Sequence, residues 1–512
     1  MADNLADLVR AAGRSRPESA ALLAGRQQVT WADLDARVDR VAAGLVALGL
    51  SPGDRVGLAL GNTVDFVAAY FATLRAGLVS VPLNTGYTGR ELTALLLDSG
   101  SRALVATEGV AALALQAGAA LPDLRYVLVG DGGSAPAGAL TLEAATGQGA
   151  GALPAEAATG GEDLAVLIYT SGTSGTPKGA MLSHRALLAN LDQLSRISPP
   201  VIGADDRVLL VLPLFHIYGL NPGLGMVARH AATGVLAERF EPQATLELMA
   251  RHEVTTVVGA PPMYVAWSLL PDLTAGFARV RLALSGSAPL APQALQQIRQ
   301  RTGKQVFEGY GLTETGPVLT STLCSELAKP DSIGRPIPGV EVKLVDDRGD
   351  EVDEADHGEL VVRGENLFSG YWPDGAGGPD PDGWWPTGDV AYADSDADLH
   401  LVDRRTELIV VSGFNVYPRE VELVLLTDPG IADAVVVAIP NPYTGEAIKA
   451  IVQPRPGLEL TEAAVIAHCE RSLARFKCPT AVEFVAELPR SAAGKVRRGV
   501  LRAGAQRDEG AR

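Results

Sequence analysis

Residues 164–184 read LAVLIYTSGTSGTPKGAMLSH. An apolar strand pattern from Leu164 to Tyr169 runs straight into a loop of Ser, Thr and Gly that ends on a lysine. Such a loop suits phosphate. Gly172, Gly175 and Gly179 let the backbone turn tightly and approach a ligand, while Thr170, Ser171, Thr173, Ser174 and Thr176 offer hydroxyl and N–H groups to anionic oxygens. Lys178 adds the positive charge. Pro177 precedes that lysine and no Ser or Thr follows it, so the Walker pattern is excluded. Taken alone, the same composition fits a plain surface loop. The rest of the chain must decide.

Outward from this loop, short apolar strands alternate with helical patterns over residues 27–310: RVGLAL at 55–60, VLLVLP at 208–213, TTVVG at 255–259 and RLALS at 281–285. Parallel α/β layering follows. The Ala- and Gly-rich stretch from Gly130 to Gly161 reads as a surface connection. From Gly334 to Val402 the pattern changes to close-set strands, VEVKLVD, GELVVRG and LHLVD, interrupted by PDGAGGPDPDG at 373–383. These predict a small antiparallel β unit. After Asp403 a separate mixed segment begins, with strands expected near 407–411, 433–439 and 447–453 and a helix near 461–474. It is long enough to be a domain of its own.

Composition limits the function classes. A chain of 512 residues exceeds one ordinary core, and 47% hydrophobic with 20% charged residues is that of a globular protein. The formal net charge of −17 repels nucleic acid, so an anionic ligand must be held by a local site. Three cysteines, Cys324, Cys469 and Cys478, lie far apart without zinc-like spacing, which argues against a disulfide framework and suits a cytoplasmic setting. The start, MADNLADLVRAAGRSRPE, lacks the basic and apolar regions of a signal peptide. The longest clean apolar run, Val208 to Phe215, is too short to span a bilayer, which takes about 20 residues.

Further motifs appear in a fixed order: YTSGTSGTPKG at 169–179, LPLFHIYG at 212–219, SGSAPL at 285–290, EGYGLTET at 308–315, TGD at 387–389, DRRTELIVVSGFNVYPREVE at 403–422 and LPRSAAGK at 488–495. In this set, over nearly its whole length, the chain resembles the adenylate-forming superfamily of acyl-CoA synthetases, firefly luciferase and peptide-synthetase adenylation domains. The resemblance implies an α/β fold. It has a large N-terminal domain of two sheet-and-helix subdomains plus a β-barrel, and a small mobile α+β C-terminal domain. In this chain the boundaries would be 1–402, a hinge at 403–406, and 407–512. The hinge position usually carries Lys or Asp; here it is Thr406. Rotation needs only backbone freedom there.

The implied reaction has two halves. A carboxylate attacks the α-phosphate of ATP to give acyl-AMP and pyrophosphate; a thiol, that of coenzyme A, then displaces AMP. Cations and aligned donors must neutralise the phosphoryl oxygens in the first half. By resemblance Lys495 reaches the α-phosphate and the substrate carboxylate, and Glu314 holds Mg2+. Thr313 and the loop residues Thr170, Ser171, Gly172, Thr173, Ser174, Gly175 and Lys178 would bind phosphate. Glu308, Gly309, Tyr310 and Gly311 would form one side of the adenine slot, and Gly286, Ser287 and Ala288 the other. Asp389 and Arg404 match the ribose-binding positions, and His216 would line the carboxylate pocket and the mouth of the thiol tunnel. Gly413, flanked by Phe414 and Asn415, would let the pantetheine arm pass.

Each residue alone carries a plainer reading: Lys495 a solvated tail lysine, Tyr310 ordinary core, His216 a satisfied buried histidine, and Gly388-Asp389 a turn. The partners expected are ATP, CoA and a small carboxylic acid, with no nucleic acid and no membrane span; a monomer and a homodimer both fit. The acyl side, rich in small apolar residues such as Gly219, Pro222, Gly223, Gly259 and Val318, predicts a medium-chain or longer fatty acid or an arylalkanoic acid. Malonate or another dicarboxylate is the alternative, with Arg229, His230 and Arg281 as cations, since the place where malonate-activating relatives carry arginine is Ala231. A carrier protein is the alternative acceptor.

Overall fold

The computed structural model describes residues 3–147, 159–170, 177–346, 348–352, 356–404, 409–411, 414–441, 445–458, 460–473, 475–490, 496–498 and 500–502. The chain divides into two compact units: 1–172, 177–341 and 363–385 belong to the first, and 342–362 and 386–512 to the second.

In chain order the strands of the first unit are β1 (Ala20–Ala24), β2 (Gln27–Thr30), β3 (Arg55–Ala59), β4 (Val79–Pro82), β5 (Ala103–Ala106), β6 (Tyr126–Val129), β7 (Leu140–Thr141), β8 (Leu164–Thr170), β9 (Lys178–Ser183), β10 (Arg207–Leu210), β11 (Thr233–Leu236), β12 (Thr256–Gly259), β13 (Leu282–Ser285), β14 (Val306–Gly311), β15 (Val318–Ser321) and β16 (Arg335–Pro336). They form a seven-stranded sheet, β7-β6-β5-β3-β4-β8-β9, and a nine-stranded sheet, β16-β15-β14-β13-β12-β10-β11-β1-β2. The inner strands pair in parallel and read as unbroken apolar runs, such as ALVA in β5, because helices cover both faces. The helix Val64–Arg75, VDFVAAYFATLR, is buried all round and starts where the Thr63 hydroxyl accepts from the Phe66 amide.

The later strands are β17 (Val340–Val345), β18 (Gly358–Gly364), β19 (Trp384–Ala393), β20 (Leu399–Arg404), β21 (Ile409–Val411), β22 (Phe414–Val416), β23 (Ile431–Asn441), β24 (Gly445–Pro454) and β25 (Ala481–Phe484). The first four make one sheet in chain order, and the rest a five-stranded sheet. Alternation along β23 gives that sheet two cores: Ala434, Val436 and Ala438 pack with the helices Pro418–Leu425 and Glu462–Glu470, while Val435, Val437 and Ile439 pack with Leu488, Val496 and Leu501. Cys324, Cys469 and Cys478 are free thiols. No helix among the described residues is long and apolar enough to cross a membrane.

The structure departs from the sequence reading in the connection before β8. The stretch from Gly130 to Gly161 contains β7 and the helix Leu142–Thr146, whose Ala145 carbonyl lies 2.7 Å from where a Cβ on Gly44 would stand. It is a built edge of the fold as far as Thr146. The turn-rich PDGAGGPDPDG lies between β18 and β19, interrupting the antiparallel strands where the sequence reading puts it.

His184, just past β9, is fully buried. Its Nδ1 accepts the Leu5 amide at 3.2 Å, which needs an unprotonated nitrogen. Burial pushes the imidazole down to about 4, Asp163 opposing only in part. An unfolded histidine takes its proton near 6.5, so the unfolded chain binds more protons between the two values and stability falls as pH drops through that window. The loss should reach ~3 kcal/mol. Urea denaturation at pH 7 and pH 5 checks this: His184→Gln should show a shallower pH slope than wild type, and equal slopes would contradict the assignment.

Candidate active site

Three parallel strands end side by side, with Gly259 of β12 level with Ser285 of β13 and Ser285 level with Glu308 of β14. In open α/β sheets the crevice beyond such carboxyl ends is where ligands sit. Gly286, Ser287 and Ala288 leave β13 there, and Ser287 has φ 76°, a left-handed conformation that a serine adopts only when its surroundings impose it. Glu308 Oε1 accepts the Leu290 amide at 2.9 Å, tying the loop after β13 to β14. Gly309, Tyr310 and Gly311 finish β14, with a register shift between Tyr310 and Gly311. A Cβ on Gly311 would stand 1.7 Å from the Pro317 carbonyl oxygen, so only glycine fits this crossing.

Glu314 lies on the one-turn helix Thr313–Thr315 and is 7% exposed. Irregular backbone this deep must be satisfied by side chains, and three buried asparagines do so. Asn366 donates to Thr315 O at 2.7 Å, Asn221 to Gly316 O at 2.8 Å, and Asn190 brackets Val318 through both its amide atoms. The turn carrying Glu314 is therefore held from three sides.

The arms of the Ser/Thr/Gly loop are antiparallel neighbours, with Thr170 opposite Lys178 across β8 and β9. Tyr169 donates to Asp98 at 2.6 Å. The segment Ser369–Trp372 runs along β9: Ser369 N donates to Met181 O and Trp372 N to Gly179 O, at 2.9 and 2.8 Å. From this segment the Tyr371 hydroxyl donates to Glu314 Oε1 at 2.8 Å, and Lys178 Nζ sits 5.1 Å from the centre of the same ring. Ser171, Gly172, Thr173, Ser174 and Gly175 lie outside the described residues.

Asn62, from the turn after β3, donates to Leu210 O and Leu212 O and accepts the Leu214 amide, all between 2.8 and 3.1 Å. This grip ends β10 at Leu210, short of the predicted Pro213, and sets the path to half-buried His216. Tyr218 follows, its ring 2.9 Å from where a Cβ on Gly286 would stand; Tyr264 packs likewise under Gly259, at 3.0 Å. The missing side chains of Gly286 and Gly259 thus make room for two aromatic rings against the ends of β13 and β12.

In the second unit Asp389 of β19 and Arg404 of β20 are direct cross-strand partners, and Asp389 is buried. Phe414 opens β22 opposite Val411. Thr406, Gly413 and Lys495 lie outside the described residues, but the flanks of Lys495 do not: Arg490 and Val496 form an antiparallel bridge, and Arg498 pairs with buried Glu422 at 2.8 Å. At least that arginine is anchored and not a solvated tail.

The AMP-binding enzyme family matches residues 9–372, and its C-terminal domain family matches residues 420–495. The chain belongs to the adenylate-forming acid–CoA ligases. A long-chain-fatty-acid–CoA ligase of Yersinia pestis is 34% identical, covering 93% of this chain and 89% of the relative. A feruloyl-CoA synthase of Amycolatopsis is 35% identical over 96% of each. The ATP-bound crystal structure of MatB from Rhodopseudomonas palustris superposes with a TM-score of 0.89 at 33% identity, covering 98% of this chain and 99% of that one.

For an acid–CoA ligase the cation expected is Mg2+, which binds through one or two carboxylates plus substrate phosphates. The residues fit it. Glu314 is a buried carboxylate with one oxygen fixed by Tyr371, and no group of three or more His, Cys, Asp or Glu among the described residues could cage a metal by itself. Sequence reasoning missed Asn62, Tyr218, Tyr264 and Tyr371. Tyr218, two residues past His216, was the one within reach of a motif.

Proposed function

We propose that this acid–CoA ligase activates an apolar acid, a medium-chain or longer fatty acid or an arylalkanoic acid of the cinnamate kind. The acid's carboxylate attacks the α-phosphorus of ATP, the bond to the β-phosphate oxygen breaks, and pyrophosphate leaves. The CoA thiol, losing its proton, then adds to the acyl carbon, and AMP departs with the former carboxylate oxygen. Lys178, Thr313 and Lys495 supply donors and charge to the phosphoryl oxygens, and Glu314 would hold a Mg2+ ion, which when bound would supply further positive charge there. Asp389 and Arg404 take the ribose hydroxyls, Gly413 clears the pantetheine path, and residues 403–406 form the hinge.

The observation that carries the substrate reading is that each cation considered for a second carboxylate already has a partner. Arg281 donates through Nε to Asp206 Oδ1 at 2.7 Å and to the Pro200 and Val201 carbonyls. It also precedes β13, four residues before Ser285, hence roughly 13 Å from the crevice end of that strand. Arg229 pairs with Asp192, and His230 shares a hydrogen bond with the Ser195 hydroxyl at 2.9 Å. A malonyl carboxylate buried against Tyr218 and Tyr264 would find each of these three groups already engaged, at substantial cost. Fatty-acid and feruloyl ligases among the relatives support the same choice.

A panel of acids assayed with ATP and CoA tests it: dodecanoate or ferulate should exceed malonate in kcat/KM by at least ~100-fold, the order expected of an unpaired buried charge. Malonate giving the highest value overturns the reading. A phosphopantetheinylated carrier in place of CoA should be the poorer acceptor. Arg281→Ala should leave the order of acids unchanged and lower stability instead. Burial would raise the Asp206 carboxyl, yet hydrogen bonds from Arg281, Thr255 and the Gly203 amide hold it below its ordinary value, and without Arg281 that carboxylate loses its main partner. A changed acid preference in Arg281→Ala would contradict the placement.

A further inference from the structure

Tyr371 touches both charged groups on which the first half-reaction depends. Its hydroxyl donates to Glu314 Oε1 at 2.8 Å, and its ring face receives the Lys178 ammonium at 5.1 Å, within the range of cation–π attraction. The ring is itself fixed. Phe368 meets it edge-on at 5.1 Å, the Phe368 amide donates to Glu314 O at 2.9 Å, and Tyr371's backbone bridges Ala180 of β9 and accepts from Gly375 N at 2.8 Å. One side chain thus links the strand that begins at Lys178 with the turn that carries Glu314.

An exposed lysine on a flexible stem beside a buried carboxylate would ordinarily swing across and pair with it. No ion pair joins Lys178 to Glu314 in the structure, although the two share Tyr371 as neighbour. We propose that Tyr371 is a positioning residue: it occupies one carboxylate oxygen of Glu314, leaving the other for the cation, and draws Lys178 onto its ring, so that anion and cation stay unpaired until ATP and Mg2+ arrive. Hydrogen bonds of this kind behind a metal ligand are worth about 10- to 100-fold in metal affinity. The inference rests on the assignment of Glu314 as the cation ligand.

The test is calorimetric titration of the full-length protein with α,β-methylene-ATP, with Mg2+ and with EDTA. Tyr371→Phe keeps the ring and removes the hydroxyl. It should weaken binding in Mg2+ about tenfold and leave the affinity in EDTA unchanged. Tyr371→Leu removes the ring as well and should weaken binding in both conditions, since Lys178 is then free to pair with Glu314. In a Glu314→Gln background, Tyr371→Phe should have no further effect; this comparison holds even if the single variants differ in stability. Wild-type affinity for Tyr371→Phe in Mg2+, or an equal loss in EDTA, overturns the positioning role while leaving Glu314 in place. If Glu314→Gln binds in Mg2+ as wild type does, the ligand assignment fails and the proposal with it.

Discussion

Lys495→Ala should lose acyl-adenylate formation by about 10²- to 10³-fold, the cost of one missing transition-state charge contact, while still making thioester from supplied acyl-AMP and CoA. The asymmetry is the informative part. In the first half-reaction negative charge redistributes over the α-phosphate as the carboxylate attacks, and an ammonium placed there is worth far more in the transition state than in the ground state. In the second half-reaction no bond to phosphorus forms or breaks, since AMP leaves through the acyl C–O bond. The segment on either side of Lys495 is anchored for such a task, with Arg490 and Val496 bridged and Arg498 bound to both Glu422 and the Val436 carbonyl. Pyrophosphate release in single turnover measures the first step, and thioester formation from synthetic acyl-AMP the second. An equal loss in both would refute the division of labour.

Gly311→Ala should be the most damaging single methyl in the first unit's site. The added carbon would stand 1.7 Å from Pro317 O and 2.7 Å from Pro317 C, both backbone atoms of the turn that Asn190, Asn221 and Asn366 hold in place. No side-chain rotation relieves that overlap, so the crossing between β14 and β15 must open and carry Thr313 and Glu314 with it. Stability should drop by ~3 kcal/mol, at the upper end of ordinary overpacking, and ATP affinity should fall at least tenfold. Gly109→Ala, in the helix Glu108–Ala117 outside the site, is the control, because nothing lies within 4 Å of where its Cβ would stand. Denaturant midpoints and ATP titrations of the two variants check the claim, and a Gly311→Ala protein as stable and as tight as the control would contradict it.

Much of this site is legible in the sequence because its parts are local. An apolar run before a Gly/Ser/Thr loop, or LALS running into GSAP, places a strand end and a ligand-approach point within ten residues. The family resemblance then supplies roles. What stays hidden is long-range. Asn62 shapes the path to His216 from 152 residues away, measured to Leu214, and nothing in the pattern around a lone asparagine marks a buried amide that will satisfy distant backbone. Tyr371 sits before a run of Pro, Asp and Gly that reads as a surface turn, and its partner Glu314 lies 57 residues earlier. The edge strand at Leu140–Thr141 and the helix after it escape notice because an Ala/Gly-rich stretch has little periodicity; their burial rests on Leu142 and Ala145 alone. The place of Arg281, named in the sequence reading only for the malonate alternative, is hidden for the opposite reason. It is close in sequence to the crevice, but β13, Leu282–Ser285, lies between it and the loop at Gly286, and a four-residue strand puts the two at opposite ends.

In the function proposed above, adenylate and apolar acyl group share the crevice beyond β12, β13 and β14, floored by Tyr218 and Tyr264. Acyl-sulfamoyl-adenosines, which mimic the acyl-AMP intermediate without reacting, test it in one titration series. The dodecanoyl or feruloyl compound should bind at least ~100-fold more tightly than the malonyl compound, as expected of an intermediate analogue whose tail matches its walls. Tightest binding by the malonyl compound, or affinities that ignore the tail, would contradict the account.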